Sequence, residues 1–129
     1  MERRQLRSPL GRALGLGSAK EGVDHWWAQR VSAVALLVLG LWFVASLAAL
    51  AGAGRATVAA WLHGPLAAIL TILTLAAVFY HSALGLQVVI EDYVQAEGVK
   101  LGAIVLVRLS CLALAVAGIF AVLRIAFGG

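Results

Sequence analysis

Three long stretches of this chain lack charge almost entirely, and each is too long for the core of a small soluble domain. Residues 31–52 read VSAVALLVLGLWFVASLAALAG, about 22 residues without an ionisable side chain. Residues 65–90 read PLAAILTILTLAAVFYHSALGLQVVI, about 26 residues without a formal charge. The third runs from about Leu101 to Phe127, interrupted by Arg108 and closed by Arg124. A helix needs roughly 20 apolar residues to cross a hydrocarbon core of about 30 Å. No polar face repeats along these runs, which excludes amphipathic helices of a soluble fold. Composition agrees: 63% of the 129 residues are hydrophobic and 12% charged, against roughly 45–50% and about 25% in soluble domains. The expected fold is all-α, a bundle of three transmembrane helices at about 30–52, 62–92 and 100–126, preceded by a basic segment over 1–29. Pro65 suits a helix start, because a first-turn proline forfeits no intrahelical hydrogen bond. At about 26 residues the second run must tilt or emerge from the bilayer.

The basic residues orient the chain. Arg3, Arg4, Arg7, Arg12, Lys20 and Arg30 precede the first span, while only Arg55 sits in the first loop and Arg124 near the C-terminus. The positive-inside rule then puts the N-terminus in the cytoplasm, loop 91–100 on the same side, and the C-terminus in the periplasm. The net charge of +4 is thereby explained by orientation, and no nucleic-acid partner is expected. The first apolar run starts too late and is too long for a secretory signal peptide. The Arg-rich start also fits a mitochondrial transit peptide, so a bacterial inner membrane is the first expectation and the mitochondrial inner membrane the alternative. The single cysteine, Cys111, rules out an internal disulfide and any multi-cysteine metal site; in its apolar run it packs as a small hydrophobe.

Polar groups inside a bilayer are costly, so each one calls for a reason. His81 lies nine residues before Glu91, roughly 15 Å inside at 1.5 Å per residue. Two readings stand: a histidine hydrogen-bonded to a neighbouring helix, or an axial haem ligand offered from a helix face. Gly85 and Ala77, one turn either side, leave room for a flat macrocycle, though small residues also serve close helix packing. Where the helix leaves the bilayer, Tyr93 stands roughly 18 Å beyond His81. It is either an interfacial aromatic or, beside Asp92, a phenol able to hydrogen-bond a quinone carbonyl. Arg30 is an interface anchor or a partner for an anionic group such as a haem propionate. Arg108, roughly 12 Å deep, either snorkels outward or neutralises a buried anion near the depth of His81. His25 and His63 lie at opposite interfaces, away from the level of His81. The chain therefore offers one axial ligand, and a second has to come from another chain.

The stretch HSALGLQVVIEDYV, residues 81–94, resembles the second-helix signature of the D-type hydrophobic membrane anchors of succinate dehydrogenase: His, three residues, Gly, six residues, then Asp-Tyr. GVDHWWAQRVSAVAL, residues 22–36, is similar to the same family's approach to its first helix, with Asp24-His25 where the family has His-Asp. The likeness covers about residues 22–127. It implies a membrane anchor bundle in a four-part complex with a flavoprotein, an iron–sulfur subunit and a second, C-type anchor. One haem b would be shared with that partner, and ubiquinone would be the substrate. By position it implies His81 as haem ligand, Tyr93 on the quinone carbonyl, Asp92 on the proton path there, and Arg30 near a propionate. Ser32 receives no role, because the quinone-site serine is expected on the partner chain. Two rival readings remain at this point. One is a quinol:fumarate reductase anchor using the same sites; the other is a non-catalytic three-helix assembly or transport subunit.

Overall fold

The computed structural model describes residues 10, 13 and 20–128; Arg3, Arg4, Arg7 and Arg12 of the expected basic segment lie outside the described residues. Four helices follow in order: α1 (Lys20–Ala49), α2 (Arg55–His63), α3 (Pro65–Tyr93) and α4 (Glu97–Ala126). No strand occurs among the described residues. Three of them, α1 from Gly22 onward, α3 and α4, are long and apolar enough to cross a membrane. At 29–30 residues each they measure about 45 Å, longer than the hydrocarbon core, so their ends project beyond it.

The first helix begins at Lys20, ten residues before the expected start. Helical backbone does not stop at a bilayer surface, and KEGVDHWWAQ contains no proline to break it. The chain leaves α1 through a turn in which Ala53 N–H donates to Leu50 O at 2.9 Å. Gly52 there adopts φ +79°, a left-handed conformation that glycine reaches without a Cβ clash. The loop that follows contains the short helix α2, which the sequence reading had not separated from the second span. Gly64 breaks the two apart with extended backbone, and Pro65 occupies the first turn of α3, as expected.

α2 closes one end of the bundle. Trp61 stacks on Trp42 of α1 with ring centroids 5.8 Å apart, and His63 Nδ1 lies 3.1 Å from the Ala126 carbonyl, to which its N–H donates. Leu62, Ala68 and Val122 are buried there, with Trp61, Ile72, Leu75, Ile125 and Ala126 packed around them. Away from this end the helices form a row. α3 packs on α1 along one side and on α4 along the other, while α1 and α4 do not pack on each other among the described residues. No large side chain is fully buried, and large apolar side chains from Val31 to Phe127 stay exposed on all three long helices. Such a surface belongs in lipid or against other apolar helices, and this is an integral membrane protein.

At Gly118 of α4 the approach to α3 is close, since an added Cβ would stand 3.2 Å from Leu75 Cδ1. Gly118→Ala should be absorbed by a small Leu75 movement. Gly118→Leu should wedge the helices apart and cost about 1–3 kcal/mol, read as a lower thermal midpoint in detergent. Equal midpoints for the two variants would mean that this contact does not set the α3–α4 spacing.

Candidate functional site: a histidine between two helices

His81 sits on α3, twelve residues before its last residue, Tyr93, and is half-buried. Its ring faces α1. Nδ1 lies 2.9 Å from Ser32 Oγ, and Nε2 lies 3.4 Å from the side-chain amide nitrogen of Gln29. The second separation exceeds a full hydrogen bond, so Nε2 is approached rather than engaged. Ser32 is buried, and its hydroxyl donates to the Gln29 carbonyl at 3.0 Å. Two buried polar atoms beside the ring have no hydrogen-bond partner: Gln29 Oε1 and His25 Nε2.

The local sequence explains why α1 turns this stripe inward. His25, Gln29 and Ser32 are spaced i, i+4, i+7, which places them on one face. In a helix that is apolar on its remaining surface, polar groups meet another helix in preference to lipid. Opposite them, Gly85 leaves room for Gln29: a Cβ added at Gly85 would reach 3.5 Å from the Gln29 amide nitrogen.

The other expected site residues lie apart from this cluster. Arg30 is exposed, with its guanidinium carbon 5.0 Å from the centroid of the Trp26 ring, a cation–π contact at the end of the span. Arg108 does not approach His81. Its Nη2 donates to Gln87 Oε1 at 2.6 Å, and Gln87 Nε2 donates onward to Glu91 Oε1 at 2.7 Å. The arginine therefore reaches along α3 toward the helix end, the outward one of its two expected directions. Asp92 and Tyr93 end α3, both exposed, Tyr93 at 80%. At 100° per residue Asp92 falls within about 20° of the His81 direction, and Tyr93 about 100° further round.

Two features bear on what His81 can hold. Among the described residues no group of three or more His, Cys, Asp or Glu side chains comes together, so a metal at this histidine would need further ligands from outside the chain. A cleft of about 440 Å³ lined by Arg55, Leu62, His63 and Ile125 lies at the α2 end, and His81 takes no part in it. The residues at His81 nevertheless suit an axial haem ligand. A neutral imidazole has one ring nitrogen engaged and the other only loosely approached, and the amide beside it has an unpartnered oxygen.

Sequence reasoning missed Gln29, the inward turn of His25 and the pairing of Ser32 with His81. The i, i+4, i+7 spacing of the three polar residues on α1 was the available signal.

Comparison with known proteins places this geometry in a family. The profile of the succinate dehydrogenase/fumarate reductase transmembrane subunit matches residues 4–122. The chain is 35% identical over 121 residues to the succinate dehydrogenase hydrophobic membrane anchor subunit of Paracoccus denitrificans, covering 94% of this chain and 93% of that one. It is 33% identical over 117 residues to the subunit of the same name from Rickettsia bellii, covering 91% and 94%. A third, from Rickettsia conorii, is 29% identical over 117 residues, covering 90% and 93%. With three membrane-crossing helices and a match over most of its length, the chain belongs to the succinate dehydrogenase/fumarate reductase transmembrane subunit family, among the hydrophobic membrane anchors of succinate dehydrogenase.

Proposed function

We propose that this anchor shares a haem b and a quinone-reduction site with a second, C-type anchor, beneath an iron–sulfur subunit and a flavoprotein, in a succinate:ubiquinone oxidoreductase of the bacterial inner membrane. The N-terminus is cytoplasmic and the C-terminus periplasmic in this reading, which the distribution of arginines supports. The observation that carries the proposal is His81 itself. It is a half-buried imidazole well inside the span, held at Nδ1 by a buried hydroxyl, with Nε2 met only by an amide at 3.4 Å.

In this assignment His81 Nε2 is one axial ligand and the partner anchor supplies the other. Haem bound there supplies one-electron storage beside the path from succinate to quinone. Arg30 and Arg108 carry the positive charge available to propionates, Arg30 from the end of α1 and Arg108 through a turn of its side chain away from Gln87. Quinone reduction consumes two electrons and two protons. Tyr93 donates its phenolic hydrogen bond to a quinone carbonyl oxygen, and Asp92 beside it accepts and returns protons from the aqueous side. The exposure of both side chains at the end of α3 supports a site completed by other subunits.

The test is optical. A complex purified through this chain should show, on reduction, a b-type haem spectrum at about one haem per flavin. A complex that oxidises succinate but contains no haem would remove His81 as a ligand.

A further inference from the structure

We infer that Ser32 is the positioning residue of His81, fixing both the rotation of the ring and which nitrogen keeps its lone pair; the inference rests on the haem reading above. Proton accounting carries it. The Gln29 carbonyl has no proton to give, so across the 3.0 Å contact Ser32 is the donor. A hydroxyl has one proton, and it is committed there. Toward His81 Nδ1, 2.9 Å away, Ser32 Oγ then offers only lone pairs, so Nδ1 carries the hydrogen and donates it. In a neutral imidazole the remaining nitrogen, Nε2, is the acceptor.

The other side of the ring agrees independently. The group nearest Nε2 is the Gln29 amide nitrogen, a donor, while Gln29 Oε1 points elsewhere without a partner. A hydrogen on Nε2 would set two donors face to face. Both contacts therefore select the tautomer whose free lone pair is on Nε2, the nitrogen that ligates in the proposal. They also explain why Ser32 is buried in a helix otherwise lined with exposed Val and Leu. The hydroxyl from α1 acts on a ligand carried by α3, as hydrogen-bond acceptors do for metal-bound histidines generally, raising the basicity of the ring.

The experiment compares intact complexes carrying Ser32→Ala, Ser32→Thr and the native serine. Ser32→Ala should lose haem roughly 10-fold faster in detergent, and its haem midpoint potential should rise, because a less basic imidazole stabilises the oxidised iron less. Ser32→Thr retains the hydroxyl and should restore both values. If the alanine complex does not assemble, Ser32→Cys, near in size and a weak acceptor, should show the same shifts in smaller measure. Equal haem retention and equal potential in the serine and alanine complexes, or in the cysteine complex where the alanine one fails, overturn the positioning role while leaving His81 as the ligand. Absence of haem from the native complex overturns both.

Discussion

Replacing His81 with alanine should empty the complex of its b-type haem, with haem per flavin falling more than 10-fold. The scale follows from the rank of the interaction. Loss of a residue that only orients a metal ligand costs about 10–100-fold in affinity, and loss of the ligand itself costs at least that. The structure also separates this effect from collapse of the fold. With His81 gone, the Ser32 hydroxyl still donates to the Gln29 carbonyl, so no buried donor is orphaned. The buried cluster around Leu62, Ala68 and Val122 lies at the other end of α3. The variant chain should therefore insert and cross the membrane as before, with a loosened complex as the secondary result. The measurement is the reduced-minus-oxidised spectrum of the purified complex beside its flavin content. Full haem occupancy with an unaltered spectrum would show that the iron is held by other residues.

Tyr93→Phe should have the opposite profile. Its side chain is 80% exposed and makes no hydrogen bond among the described residues, so loss of the hydroxyl breaks nothing within the chain. Haem content and thermal stability should stay at native values. Quinone reductase activity should fall by about 100-fold, the lower range for a positioned proton donor. Succinate oxidation with a soluble dye as electron acceptor should continue, since it draws electrons before the membrane site. Native rates with ubiquinone would exclude the phenol from the reaction.

The membrane fold was legible because bilayer thickness imposes a length that no soluble helix needs. The start at Pro65 was legible too, since proline tolerates few other places in a helix. The early start of α1 was not, because hydropathy reports where a helix meets lipid and not where its backbone hydrogen bonds begin. α2 escaped for a related reason: AGAGRAT reads as a turn, and only packing of Trp61 and Leu62 stabilises the nine residues that follow.

Within the site, the midplane position of His81 could be counted from Glu91. Its partner could not, because Ser32 is 49 residues away and a helix apolar nearly all round gives few signs of which face it turns to its neighbour. Arg108 illustrates the same limit. Depth along the axis brought it level with His81, whereas rotation about the axis sends it to Gln87.

The hydroxyls of the spans bear on biogenesis. Ser32, Ser46, Thr71 and Thr74 each donate to a carbonyl of their own helix, at 2.7–3.0 Å. Each helix can thus leave the insertion machinery and wait in lipid with these protons already placed, whether or not its neighbours have been synthesised. His81 differs, because Ser32 and Gln29 belong to a helix made earlier. When α3 arrives its imidazole finds a waiting acceptor on α1, so the order of translation itself favours docking of the ring before any second subunit is met.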